Sequence, residues 1–313
     1  MMERDSKIYV AGHSGMVGSA LVRRLRSAGY ERLLLPTHQE LDLTNQDKVG
    51  TFFRQERPHY VFVAAGLVGG IRANSEAPAD FFSVNMAIAQ NVILSAHTYG
   101  VEKLLYLGSA CMYPANCQQP MGEEELLTGL PEVTNEGYAL AKIGGCRLCG
   151  YMQRQYGDRF ISAIPANAYG LHDSFDSQNS HVIPALIAKF HRAKAEHLPF
   201  VELWGSGRAL REFLFTEDLA DGCIYLMENY EEPEHINMGS GEEVSMLQLA
   251  EIIRDITGYN GEIVCDASKP DGMARRIVDS ARINRLGWQA KTSLRKGLDL
   301  VYQDYLAQRG ETL

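Results

Sequence analysis

A phenol and an ammonium stand one helical turn apart in Tyr138-Ala139-Leu140-Ala141-Lys142, a spacing that puts both side chains on one face of a helix. An ammonium beside a phenol is expected to lower the phenol's pKa from its ordinary value of about 10 and so fit it for acid catalysis near neutral pH. The spacing alone decides nothing, because Tyr99 and Lys103 share it, with Gly100 breaking the helix between them. Tyr138 is singled out by Ser109, which lies just past the apolar run Lys103–Leu107. Ligands of open parallel sheets bind at the carboxyl ends of strands, so a hydroxyl there can bond a substrate carbonyl while the tyrosine protonates it. Cys111, two residues on, projects near the same place. Beside a ketone its thiolate is a competent base, and packing as a small buried hydrophobe is the other role open to it. His181 opens the helical stretch His181–Ala195, either as its N-terminal cap or as a second proton-transfer group.

Hydride chemistry needs a carrier, and Gly12-His13-Ser14-Gly15-Met16-Val17-Gly18 supplies a site for one. Glycines at this spacing between a strand and a helix allow a tight turn and close backbone approach to a pyrophosphate, which the free N–H groups of the helix start then hold. Asp42-Leu43 lies where an adenine could stack and bond, with a capping role for Asp42 the alternative. The end of the second strand, Leu35-Pro36-Thr37-His38, carries no carboxylate to hold a ribose 2′-hydroxyl and no arginine for a 2′-phosphate; this leans towards NADP, with NAD possible.

The elements that must position these groups follow from patterning. Lys7–Ala11, Arg32–Leu35, Tyr60–Ala65, Lys103–Leu107 and Phe160–Ile164 are short apolar runs without in/out alternation, as parallel strands covered on both faces should be. Val17, Leu21, Leu25 and Ala28 recur at helical spacing between the first two runs, and Gly29 ends that helix. The expectation is an α/β fold with a doubly wound parallel (Rossmann) sheet. Residues 1–165 would form a dinucleotide-binding domain, with possible return segments from the second half. After about Pro165 the loops lengthen, as at Tyr169–Asn179 and Leu198–Arg211, and 166–313 reads as a smaller α/β substrate lobe.

Glycine turn, strand-end serine and Tyr-x-x-x-Lys in this order resemble the extended short-chain dehydrogenase/reductase family. Local strings narrow the resemblance to its GDP-4-keto-sugar epimerase/reductases: Val68-Gly69-Gly70-Ile71, Pro78-Ala79-Asp80-Phe81, Thr134-Asn135-Glu136, Asn179-Ser180-His181-Val182-Ile183-Pro184-Ala185-Leu186, Trp204-Gly205-Ser206-Gly207, Arg211-Glu212-Phe213 and Lys269-Pro270-Asp271-Gly272. The resemblance runs from residue 7 to about 305. It implies epimerisation beside C4 of GDP-4-keto-6-deoxymannose, with Cys111 and His181 as the proton-transfer pair. Reduction at C4 would follow, with Ser109, Tyr138 and Lys142 as the reductive set. It implies coenzyme contacts from Gly12, Ser14, Gly15, Met16, Val17, Gly18, His38, Asp42, Leu43, Leu107, Gly108, Tyr138, Lys142, Pro165, Asn167, Ala168 and His181, and a GDP-sugar held by Asn167, Lys189, Trp204, Arg211 and Asp271. It also implies a homodimer. The sequence departs from the family's usual residues at Ser14, at Pro36-Thr37-His38, at Leu67, Ala110 and Ala115, and at Ala166 and Ala168 beside the expected sugar. A paralogue acting on another GDP-4-keto sugar, a 3,6-dideoxyhexose or a heptose, is therefore the alternative.

Composition sets the outer bounds. The chain of 313 residues is 45% hydrophobic and 22% charged, an ordinary globular balance. Its net charge of −9 argues against nucleic-acid and anionic-membrane partners. No apolar stretch reaches the ~18 residues of a membrane span, and the charged start MMERDSK shows no signal peptide. Six cysteines in a chain of this size are no disulfide framework, Cys146-x-x-Cys149 has no second pair to build a zinc site, and the expected location is the cytoplasm.

Overall fold

In the computed structural model, which describes residues 2–175, 180–269 and 271–311, the apolar runs of the first half become strands sealed on both faces. Asn179 and Pro270, which belong to two of the strings above, lie outside the described residues. The strands are β1 (Ile8–Ala11), β2 (Leu33–Leu34), β3 (Tyr60–Val63), β4 (Lys103–Leu107), β5 (Phe160–Pro165), β6 (Asn167–Tyr169), β7 (Phe200–Trp204), β8 (Leu210–Phe215), β9 (Ile236–Met238), β10 (Glu243–Ser245), β11 (Glu262–Asp266) and β12 (Arg275–Arg276). The helices are α1 (Met16–Ser27), α2 (Gln46–Glu56), α3 (Ile71–Glu76), α4 (Pro78–Thr98), α5 (Glu136–Tyr156), α6 (Val182–Ala195), α7 (Thr216–Asn229), α8 (Met246–Thr257), α9 (Ala281–Leu286) and α10 (Leu294–Gln308).

Every residue of β1, β3 and β4 is buried, which is why these segments read as unbroken apolar runs. They belong to a parallel six-stranded sheet in the order β2-β1-β3-β4-β5-β9. The order reverses direction at β1, the crevice where doubly wound sheets hold a dinucleotide. The expected α/β doubly wound class is the observed one. Helix α5 lies close over β4 because Gly145 has no side chain: a Cβ there would sit 2.4 Å from the Tyr106 ring. That close approach brings the first turns of α5, with Tyr138 and Lys142, over the carboxyl end of β4.

The second half contributes to both layers of the molecule. β9 closes the far edge of the main sheet, and α7 packs on α1. Leu219, Leu226, Met238, Ile283 and Trp288 share the apolar core of β1, β3, β4 and β5. A separate apolar cluster gathers Tyr169, Ile187, Phe190, Leu203, Phe213, Leu249, Ile253, Leu298 and Tyr302 around the small sheets. In one of these β8 is central: it pairs antiparallel with β10 and parallel with β12 and β6. In the other, β7 pairs parallel with β11. Among the described residues no helix is long and apolar enough to cross a membrane, and the six cysteines are free thiols.

Candidate active site

Ser109 follows β4 and caps a single 3-10 turn, Ala110–Met112, its Oγ accepting from the Cys111 N–H at 3.3 Å. Serine suits this place because its hydroxyl satisfies a backbone donor that the end of a strand leaves open. The turn carries Cys111, half-buried, to the same strand end. From the first turns of α5, the Tyr138 phenol comes close enough to Ser109 and Cys111 for both to act on its proton affinity. Lys142, one turn on and 4% exposed, donates from Nζ to the Leu107 carbonyl at 3.0 Å. Its Nζ stands 4.9 Å from the Tyr106 ring centroid and 5.9 Å from that of Tyr138. Ser109, Cys111, Tyr138 and Lys142 are thus one cluster.

The electrostatics of this cluster correct one expectation. Burial pushes the Tyr138 phenol up from 10.0, outweighing the lowering by the nearby Ser109 hydroxyl. The same burial pushes the Lys142 ammonium down from 10.5 to about 8. Sequence spacing counted the attraction between ammonium and phenolate but could not count the desolvation of both. A phenol raised in this way holds its proton until a stronger base, such as a nascent alkoxide, takes it.

The glycine turn has the shape that a pyrophosphate needs. Gly12 adopts φ +81°, and a Cβ there would meet the Ala65 backbone at 2.7 Å. At Gly18 it would fall 1.9 Å from the Gly12 carbonyl oxygen, so α1 can start this close to β1 only with glycine. Gly15 is the N-cap of α1 and offers no side-chain cap, which leaves the N–H groups of the first turn, from Met16 and Val17 onward, to an anion. Leu43 is buried beside the sheet. One oxygen of Asp42 is occupied by the Thr44 N–H and Oγ, at 2.9 and 2.7 Å, which holds a local turn, while Asn45 and not Asp42 caps α2. His38 is exposed. Past β5, Asn167 spends its amide on the Glu212 carbonyl at 2.9 Å, tying β6 to β8, and Pro165 and Ala168 flank it.

A carboxylate lies just beyond residues 35–38, in the loop that follows β2. Glu40 accepts from the Thr37 N–H and Oγ at 2.7 and 2.8 Å, and its charge acts on His13 of the glycine turn. The Thr-x-x-Glu spacing is that of a reciprocal cap, a signal present in the sequence but passed over.

His181 is the N-cap residue of α6 without using its side chain as a cap. Its Nδ1 lies 3.7 Å from Asp173 Oδ1, and that carboxylate pushes the imidazole above its ordinary 6.5. No sequence pattern marked Asp173, which reaches the histidine through loop geometry. Among the described residues no hydrogen bond or ring contact joins His181 to Ser109, Cys111 or Tyr138.

The residues expected to hold a nucleotide gather around β7 and β8. Lys189 Nζ donates to the Glu202 carbonyl, and the Glu202 carboxylate accepts from Trp204 Nε1 at 3.0 Å, so one unforeseen residue links both. The Trp204 indole is 64% exposed, with Lys269 Nζ 5.7 Å from its centroid. Asp271 takes the Ser206 N–H at 2.6 Å and lies near the half-buried Arg211 guanidinium. A flat aromatic face flanked by cations suits a nucleobase and its phosphates. Among the described residues no group of three metal-ligating side chains is assembled.

Residues 8–239 match the NAD dependent epimerase/dehydratase family. The chain belongs to that family. Among its relatives it is 50% identical to GDP-L-fucose synthase 1 of Arabidopsis thaliana, over 98% of this chain and 95% of that one. It is 47% identical to GDP-L-fucose synthase of Escherichia coli, over 96% of each. Two solved structures superpose closely. A GDP-6-OMe-4-keto-L-xylo-heptose reductase from C. jejuni gives a TM-score of 0.93 at 38% identity, covering 98% of this chain and 99% of that one. A GDP-L-fucose synthetase from Naegleria fowleri, bound to NADP, gives 0.92 at 29%, covering 99% and 95%. Membership in this family, expected from the motifs, is thereby established.

Proposed function

We propose that this chain converts GDP-4-keto-6-deoxy-D-mannose to GDP-L-fucose, epimerising C3 and C5 and then reducing C4, with NADPH as coenzyme. The observation that carries the reading is the single cluster of thiol, hydroxyl, phenol and ammonium at the end of β4, in a chain half identical to a GDP-L-fucose synthase. A reductase alone has no use for the thiol; an epimerase needs it.

Cys111 removes the proton from a carbon beside the ketone, whose carbonyl oxygen spreads the resulting charge. Ser109 and Tyr138 hydrogen-bond that oxygen. His181, whose protonated form the Asp173 carboxylate favours, returns a proton from the opposite face, which inverts the centre. The bound coenzyme supplies hydride to C4. Tyr138 then gives its proton to the oxygen on C4, and Lys142 balances the phenolate that remains. The backbone donors of the glycine turn hold the pyrophosphate, while Lys189, Trp204, Arg211 and Asp271 hold the GDP. Residues 1–165 carry the coenzyme side of this chemistry and 166–313 the nucleotide-sugar side. Two copies pair through the exposed apolar side chains of α4 and α5, Phe82, Leu94, Leu140 and Tyr151, and the enzyme works in the cytoplasm.

The test is product analysis by NMR with GDP-4-keto-6-deoxymannose and NADPH in heavy water. The expected product is GDP-L-fucose carrying deuterium at C3 and C5. Tyr138→Phe should lose coenzyme oxidation and keep deuterium uptake, whereas Cys111→Ser should lose the uptake. Turnover without deuterium, or only with a heptose, would replace this reading by that of a related GDP-sugar reductase, the activity named for the C. jejuni structure.

A further inference from the structure

The loop that brings Asp173 to His181 has its path fixed from the far end of the chain. His172, the residue before Asp173, has φ +62°, in the left-handed region that residues other than glycine rarely adopt. Its backbone N–H donates to Asp304 Oδ2 at 2.9 Å, and Asp304 lies in α10, 132 residues further along. The same oxygen accepts from Gln308 Nε2 at 2.8 Å, one helical turn on, which orients the carboxylate. Beyond a fixed N–H, φ sets the direction of the chain. The bond to Asp304 and the positive φ together therefore decide where Asp173 leaves the backbone. Phe175 adds a second tie, its ring centroid 4.7 Å from that of Tyr305, the neighbour of Asp304 in α10.

α10 is in turn locked to the helix that follows His181. His191, in α6, meets the Tyr302 hydroxyl through Nδ1 at 3.1 Å and Glu311 Oε2 through Nε2 at 3.1 Å. α6 and α10 thus form one frame, with His181 presented from the first helix and the Asp173 loop held from the second. Asp173 itself has few ties. Its side chain is 8% exposed, and its Oδ1 takes the Ser174 N–H at 2.8 Å and lies 3.7 Å from His181 Nδ1. Its Oδ2 is buried with no hydrogen-bond partner among the described residues. Among those residues Asp173 is the charged group that acts on His181, so a turn of the loop would leave the imidazole without its counter-charge. We propose that Asp304 is a positioning residue for the proton-returning histidine: by holding the His172 N–H from α10, it keeps the Asp173 carboxylate against His181. The proposal rests on the epimerase reading given above, in which His181 acts on the substrate, and assigns a role in it to a residue of the C-terminal helix.

Two readouts test it: NMR titration of the His181 imidazole in the substrate-free protein, and deuterium uptake by GDP-4-keto-6-deoxymannose in heavy water. His181→Asn assigns the resonance, and NADPH titration with thermal melting checks the folding of each variant. Asp304→Ala should lower the titration of His181 towards 6.5 and slow deuterium uptake about tenfold, with NADPH affinity and melting temperature retained. Asp304→Leu carries the same expectation and decides the matter if the alanine variant melts abnormally. Asp304→Asn keeps an acceptor for the His172 N–H and should hold uptake within about threefold of wild type. Either readout left unchanged by both Asp304→Ala and Asp304→Leu overturns the proposal and leaves the function standing. An equal loss in Asp304→Asn also overturns it, because the charge and not the contact would then be acting. A wild-type protein that takes up no deuterium overturns the epimerase reading instead, and the imidazole titration, which needs no substrate, then decides whether Asp304 holds Asp173 in place.

Discussion

Lys142 sets the pH response of the reductive step. Its ammonium is pushed down to about 8 by burial, from 10.5, while the unfolded chain keeps the ordinary value. Reduction leaves a phenolate that the ammonium must balance, so kcat for reduction should fall about tenfold per unit as pH rises beyond about 8. Stability moves the other way. Between about 8 and 10.5 the unfolded chain binds a proton that the folded lysine has released, so the lysine's contribution to stability rises with pH. A pH–rate profile and a melting series should therefore diverge in this window, and Lys142→Met should remove both slopes. At the other end of the coenzyme, Glu40 places a carboxylate near the glycine turn, where a ribose 2′-phosphate carries its charge. Glu40→Gln should raise the ratio of kcat/KM for NADPH over NADH by about three- to tenfold, read from steady-state rates with each coenzyme.

Glu212 is the element-level counterpart of these groups. Wholly buried in β8, it accepts from the Gly241 N–H at 2.8 Å and from the Val278 N–H at 3.1 Å. It thereby binds the loop after β9 and the chain after β12 to the strand that carries Arg211. Glu212→Ala leaves these donors unpaired and should cost about 3 kcal/mol in chemical denaturation, with loss of GDP affinity exceeding loss of NADPH affinity. This region also shows what a sequence can reveal. β1, β3 and β4 were legible because burial on both faces forces a continuous apolar run. The strand β12 is two arginines long and exists through its pairing with β8, so it had no local signal. Asp173 is the same case, since its meeting with His181 depends on a loop. Ser109, Cys111, Tyr138 and Lys142 were legible because each is tied to one strand end or one helix turn. The direction of the Tyr138 shift was not, because desolvation is a property of everything packed around the phenol.

For the whole molecule, the pairing proposed above through the exposed apolar side chains of α4 and α5 makes association a testable property. Leu140 and Tyr151 are 41% and 53% exposed on a helix otherwise packed against the sheet. Light scattering should give twice 34.8 kDa for the wild-type protein, and Leu140→Glu with Tyr151→Glu should give the monomer with coenzyme affinity retained. The sequence divided the chain near Pro165, and the apolar clusters show how far the second half reaches back: β9 edges the main sheet, and Trp288 is buried beneath it. That interleaving bears on how a substrate arrives. A polypeptide stitched repeatedly across its own cleft has no free hinge on which one side could swing like a door. Entry must then depend on shifting side chains and surface turns, and heating should melt both sides in a single cooperative step.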